Sequence, residues 1–275
     1  MSTMPLQLPQ RPLGNTGMRV SCLGLGTVKI GRNQGVKYPQ GFALPDDASV
    51  RNILALCRDA GMNLIDTAPA YGNSEERLGQ LLENRQDWVI CTKVGEEFQN
   101  GESSFDFSPA HVRRSLERSL KRLRTDYLDL VLVHSDGNDE DIIRNSGCFD
   151  TLVRAKEAGL IRAFGMSTKT VAGGLLALEQ ADVVMVTLNP SATDDATVVA
   201  EAHARNKGVL IKKALNSGHA IGASSEGANS DPVRASLEFV YSHAGVSSVI
   251  IGSITPGHLL HNVGCAVEVA GAPQS

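Results

Sequence analysis

Residues 127–134 read Y-L-D-L-V-L-V-H, a run in which apolar and polar side chains do not alternate strictly. A strand with one wet face alternates, whereas a strand covered by helices on both faces need not. The run therefore points to a parallel sheet with helices packed outside it. Short apolar runs recur on either side: V-S-C-L-G-L-G-T (20–27), N-L-I-D (63–66), W-V-I-C-T-K (88–93), A-F-G-M-S (163–167), V-V-M-V (183–186), V-L-I-K (209–212) and S-V-I-I-G (248–252). Helical punctuation lies between them. Ser108-Pro109, Asp231-Pro232 and Thr255-Pro256 each set a capping oxygen before a proline suited to the first turn. Ser74, with Glu75 and Glu76 behind it, reads as another helix start, because early carboxylates favour the positive end of the helix dipole. Val112, Leu116, Leu120 and Leu123 fall on one face of a helix. Gly61 and Gly159 mark where helices stop.

This unbroken alternation predicts an α/β fold, a parallel (β/α)8 TIM barrel spanning 11–275 as one domain, after a flexible tail over 1–10. An open doubly wound sheet has the same alternation and stays the competing fold. The Gly-, Ala- and Ser-rich stretch from Gly218 to Ser230 reads as a mobile loop after the seventh strand. At 275 residues, with 42% hydrophobic residues and one Trp, the chain suits a single aliphatic-cored barrel. A net charge of −4 offers no basic field for nucleic acid. No apolar stretch is long enough for a membrane span, and the N-terminus lacks the pattern of a signal peptide, so a cytoplasmic location is expected. The five cysteines are scattered, with no C-x-x-C spacing, which predicts free thiols and no metal framework.

Asp66, Tyr71, Lys93 and His134 stand at or just past the ends of separate strands. In a parallel barrel those ends open at one mouth. A phenol, an ammonium, a carboxylate and an imidazole together suit carbonyl reduction. A phenol near pKa 10 is a poor catalyst at neutral pH, and a nearby ammonium favours its phenolate. Taken singly, each residue has a plain structural reading: a capping Asp, a packed loop Tyr, a solvated Lys, a hydrogen-bonded His. Their joint placement carries the functional one.

I-D-T-A-P-A-Y-G-N-S-E (65–75), T-K (92–93), Y-L-D-L-V-L-V-H (127–134) and G-L-I-R-A-F-G-M-S-T (159–168) resemble the aldo-keto reductase signatures in order and spacing. R-P-L-G-N-T-G-M-R-V-S-C-L-G-L-G-T (11–27) is similar to that family's N-terminal β-hairpin and first strand. The resemblance implies the barrel over the open sheet. It also implies hydride transfer between a nicotinamide cofactor and an aldehyde, ketone or sugar carbonyl, without a metal. Tyr71 would be the general acid, Lys93 with Asp66 would lower its pKa, and His134 would orient the carbonyl.

For the cofactor, the resemblance implies contacts from Gly26, Thr27, Asp66, Ser167, Thr168, Lys212, Ser253, Thr255 and Asn262. The chain departs from the family pattern in three places. Thr168 replaces an Asn, Met185 stands where a Gln is usual, and Lys212 stands where many members stack a Tyr. Met185 reads as core filling, and Lys212 as able to reach a phosphate or a substrate anion. Ile254 and His258 occupy positions where a cation often grips the 2′-phosphate. NADP(H) is expected on the resemblance, with weak discrimination against NAD(H). G-L-G at 24–26 is no dinucleotide fingerprint, since position 29 is Lys. Tyr38, Phe42 and Phe98 are candidates for the pocket wall. The partner expected is a small carbonyl compound, with no nucleic acid, membrane or obligate protein partner. The rival reading is a non-catalytic nicotinamide-binding barrel, a redox sensor or regulatory subunit.

Overall fold

In a computed structural model, residues 6–36, 41–215 and 231–271 are described. Tyr38 and the whole of the Gly218–Ser230 stretch lie outside them.

Strands β1 (Gln10–Pro12) and β2 (Arg19–Ser21) form an antiparallel hairpin. Eight strands then close into a parallel barrel: β3 (Leu23–Gly26), β4 (Leu64–Asp66), β5 (Val89–Val94), β8 (Leu128–His134), β9 (Ile161–Ser167), β10 (Val183–Thr187), β11 (Gly208–Lys212) and β12 (Ser248–Ile251). Closure is made by β12 pairing with β3 through Val249↔Leu23 and Ile251↔Leu25, which rules out the open sheet. A second antiparallel hairpin, β6 (Glu96–Gln99) and β7 (Glu102–Phe105), rises directly from β5. The helices are α1 (Val28–Gly31), α2 (Asp47–Asp59), α3 (Ser74–Leu81), α4 (Pro109–Leu123), α5 (Asp139–Asn145), α6 (Cys148–Glu157), α7 (Val171–Ala177), α8 (Ala196–Ala204), α9 (Pro232–Tyr241) and α10 (Pro256–Ala270).

Two apolar layers hold this together. Inside the barrel, Leu64, Cys91, Leu130, Leu132, Ala163, Val183, Met185 and Leu210 pack on one another, and Leu13, Met18 and Val20 of the hairpin join them. Met185 is buried there, so it fills core as expected. The second layer lies between the outer faces of the strands and the helices. On α4, Val112, Leu116 and Leu123 are buried and Leu120 is half-buried, and Ser108 caps it by accepting from His111 N. Asp231 caps α9 in the same way, whereas Thr255 precedes α10 without a side-chain cap. Gly61 and Gly159 follow the last residues of α2 and α6 at φ +72 and +74, the left-handed geometry of a helix C-terminus.

Several local expectations need correction. The run 20–27 is not one strand: residues 19–21 belong to the hairpin and 23–26 to the barrel. Ser74 does begin α3, with Glu75 and Glu76 in its first turn, but Asn73 holds the N-cap position and the Ser74 hydroxyl turns inward to donate to Thr27 Oγ1. Glu75 is likewise buried rather than serving only the helix dipole, accepting from Thr92 Oγ1 at 2.6 Å. The stretch taken as tail is anchored before residue 10: Leu8 is buried, its N–H donates to Ala60 O, and Gln10 already begins β1. All five cysteines are free and buried. No helix among the described residues is long and apolar enough to cross a membrane.

Candidate active site

Strand register brings the sequence candidates to one rim. Gly26 pairs with Asp66, Asp66 with Cys91, Lys93 with Leu132, His134 with Ser167, and Thr187 with Lys212. These pairs sit at the C-terminal ends of their strands, where a parallel barrel collects functional side chains.

Lys93 is the central group. It is 1% exposed, and an ammonium buried that deeply needs partners. Nζ donates to Asp66 Oδ1 at 2.5 Å and to Thr67 O at 2.9 Å. Burial works to discharge it, but Asp66, Tyr71 and Cys91 together outweigh that loss and hold the lysine pKa above its ordinary value. Lys93 is therefore a fixed cation.

Tyr71 follows β4 in a loop held by backbone contact. Gly72 takes φ +62, and a Cβ there would lie 2.1 Å from Gly31 O. From the other side, a Cβ on Gly31 would lie 2.2 Å from Tyr71 O. Only two glycines allow the loop to seat so closely on α1. Beneath it, Thr27 is spent as a brace, its hydroxyl donating to Asp66 O at 2.9 Å. Lys93 Nζ lies 4.6 Å from the Tyr71 ring centroid. Burial pushes the phenol pKa above its ordinary value, Lys93 pulls it down, and Asp66 pushes it up again. The net direction is upward, opposite to the expectation. The reason is that Lys93 brings its counter-charge with it, so the phenol meets a near-neutral pair while losing water.

His134 meets Tyr71 edge-on, with ring centroids 6.1 Å apart and an interplanar angle of 86°. Its Nδ1 lies 2.7 Å from Glu96 Oε2. At this separation the carboxylate and the imidazole are within ion-pair reach and couple electrostatically. Burial lowers the His134 pKa, with Lys93 and Lys212 adding to the fall and Glu96 opposing it. Burial works against the Glu96 carboxylate too, yet His134, Ser103 and Arg32 together bring its pKa down to about 2. Glu96 is the residue that sequence reading missed, along with its hairpin. The available signal was Asn100-Gly101, a turn dipeptide whose residues both adopt positive φ, 53 and 88. Of the wall candidates, Phe98 is covered by the Arg32 guanidinium 3.3 Å from its centroid, and Phe42 has Lys29 Nζ at 5.4 Å.

Across the mouth, Lys212 Nζ donates to Ser167 Oγ at 2.9 Å and to Thr168 O at 2.6 Å. Burial first, and then Lys213, bring its pKa down to about 7, against the pull of Asp195 and Asp139. Thr168 Oγ1 is buried with no hydrogen-bond partner among the described residues. A native structure rarely leaves such an atom unpaired, so it marks a place where a polar ligand group fits. Ser253 and Thr255 stand on the rim between β12 and α10, and Asn262 is buried about two turns further along α10.

The arrangement can hold a proton on Tyr71 beside a fixed cation and place an imidazole next to both. The pattern of the Aldo/keto reductase family matches residues 22–229. The crystal structure of the aldo-keto reductase-like protein PA4992 of Pseudomonas aeruginosa superposes with a TM-score of 0.86 at 53% identity, covering 96% of this chain and 97% of that one. L-galactose dehydrogenase of Arabidopsis thaliana is 34% identical over 165 residues, 57% of this chain and 47% of that protein. The NADH-specific methylglyoxal reductase of Escherichia coli is 33% identical over 168 residues, 56% of this chain and 50% of that protein. The chain thus spans about half the length of these curated relatives. With the closed barrel and a family match over most of its length, the chain belongs to the aldo/keto reductase family.

Proposed function

We propose that this protein is an active nicotinamide-dependent carbonyl reductase with Tyr71 as its general acid. The observation that carries the reading is the Lys93–Asp66 pair at 2.5 Å, buried against the Tyr71 ring. A bound reduced nicotinamide would supply the hydride. The residues of the chain supply the rest. Tyr71 keeps its proton until an alkoxide forms beside it, since burial favours the neutral phenol. Lys93 then stabilises the phenolate that proton donation leaves behind. His134, drawn toward its neutral form by burial, holds the carbonyl oxygen near the phenol. The unpaired Thr168 hydroxyl, with Ser167, fits a carboxamide. Ser253, Thr255 and Asn262 fit the adenosine phosphate end.

NADP(H) is the preferred cofactor in this reading, with NAD(H) close behind, because Ile254 and His258 offer no guanidinium to a 2′-phosphate. The named NADH-specific relative supports that narrow margin. Aldehydes, ketones and sugar carbonyls are the substrate class, supported by the sugar dehydrogenase among the relatives.

The test is Tyr71→Phe, assayed on an aldehyde and sugar panel by loss of reduced-nicotinamide absorbance. Turnover should fall at least about a hundredfold, the scale of a lost general acid. Fluorescence quenching should show both reduced cofactors still bound, with dissociation constants within about tenfold of each other, the scale of one weak contact. Near-normal turnover in the variant would remove Tyr71 from its role. Binding without turnover in the wild type, across the whole panel, would favour the non-catalytic reading.

A further inference from the structure

Away from the mouth, α9 and α10 bring together three side chains that carry three different metal-binding donors. Asp231 caps α9, and His261 and Cys265 stand one turn apart on α10. Asp231 Oδ1 is committed to the cap, accepting from Val233 N at 3.0 Å. That leaves Oδ2 fixed in direction, 2.8 Å from His261 Nε2 and 3.1 Å from Cys265 Sγ. Sγ and Nε2 are 3.7 Å apart. The same cavity contains Arg234, Glu238 and Glu268. Arg234 is occupied by both carboxylates, at 2.9 Å to Glu238 and 2.5 Å to Glu268, so it does not neutralise Asp231.

A cysteine, a histidine and an aspartate also suggest an activated nucleophile, but the geometry is wrong for one. Such a relay uses both imidazole nitrogens, one for the thiol and one for the carboxylate. Here both approach Nε2. Burial and the Asp231 contact also push the Cys265 thiol up to about 12, which makes it inert by itself.

We propose that Asp231 Oδ2, His261 Nε2 and Cys265 Sγ are three ligands of a zinc-type divalent cation, with water in the fourth position. A thiolate, an imidazole and a carboxylate together suit that class of ion, whereas calcium and magnesium take oxygen ligands. Ligand atoms around tetrahedral zinc lie roughly 3.3–3.6 Å apart, given its bond lengths. The existing separations bracket that range, and the shortest needs to open by only about half an ångström. His261 can supply this movement because its side chain is 53% exposed. On binding, the Cys265 thiol gives its proton to solvent, and the metal–sulfur bond replaces the S–H bond. The ion would join α9 to α10 beside Asn262. No sequence motif announces the site, because Asp231 and Cys265 are separated by 34 positions.

The experiment uses the intact chain, stripped with a chelator and titrated first with Co2+ and then with Zn2+. One Co2+ per chain should bind with a sulfur-to-cobalt charge-transfer band, and Zn2+ should displace it. Cys265→Ser should lose the band, and His261→Ala should weaken binding at least about tenfold, the scale of one lost ligand interaction. His243→Ala, a control just past the end of α9, should change neither. Zn2+ at a hundredfold excess over its dissociation constant should raise the wild-type melting temperature by roughly 5–10 °C. The absence of a band, its persistence in Cys265→Ser, or equal binding by His261→Ala would overturn the site. His261 is exposed, so its truncation leaves the fold intact and the result readable.

Discussion

At the end of β5, Lys93 donates to a carboxylate oxygen at 2.5 Å and a peptide oxygen at 2.9 Å. At the end of β11, Lys212 donates to a hydroxyl at 2.9 Å and a peptide oxygen at 2.6 Å. Both ammoniums have lost most of their water, and both find hydrogen-bond acceptors. Yet Lys93 is held charged while Lys212 is brought down to about 7. Lys93 has an ionised carboxylate in direct contact, whereas Lys212 has none and also meets the charge of Lys213. Neutral acceptors replace the hydrogen bonds of water but not its dielectric response, so they stabilise a buried charge only in part. The mouth therefore pairs a permanent cation beside Tyr71 with a lysine whose charge follows pH.

Asp66→Asn would put Lys93 in the situation of Lys212 and should have the largest effect. Breaking a buried pair by removing one partner costs about 3–5 kcal/mol, read as a lower urea midpoint at pH 7. An unchanged midpoint would mean that the pair contributes no net stability.

Glu96→Gln sharpens the contrast through a third, half-buried charge. The Glu96 carboxyl titrates at about 2 in the folded chain against an ordinary 4.5. Its contribution is complete above 4.5 and is lost as pH falls through 2, because the unfolded chain takes up the proton first. The wild type should lose about 2–3 kcal/mol more than Glu96→Gln across that acid window, measured by denaturant unfolding at stepped pH. Parallel curves would show that Glu96 is not held ionised by His134.

Read per pH step, Lys212→Met should have the smallest effect. From about 7 to the ordinary 10.5, the unfolded chain keeps this proton while the folded chain has released it. Wild-type stability should therefore gain up to about 1.4 kcal/mol per pH step across that window. Below about 7 the folded chain carries the buried charge in full. The methionine variant should lack the upward slope and be at least as stable as wild type at pH 6. A slope that survives in the variant would assign it to another group.

Much of the barrel can be read from the chain. Its eight apolar runs correspond to the barrel strands, and Ser108, Asp231, Gly61 and Gly159 mark helix ends by local chemistry. Asp66, Tyr71, Lys93 and His134 were legible because each sits at or near a strand end. What local reading missed came from long-range packing. Ser74 begins α3, but its hydroxyl is spent on Thr27, 47 positions away. Leu8 sits in the stretch read as a flexible tail yet is buried and bonded to Ala60. Hairpin β6–β7 carried a turn signal, but its role depends on Glu96 reaching His134 from another element.

What the amino-acid order determines by itself is the alternation of strands and helices and the set of ionisable groups placed at strand ends. Periodicity and capping are properties of neighbouring residues. Only the tertiary structure decides that Tyr71 is pushed toward its neutral form, that Lys93 stays charged while the charge of Lys212 follows pH, and that Asp231, His261 and Cys265 meet. Each of these outcomes depends on how much water a group loses and which charge replaces it, and both are set when distant segments pack together.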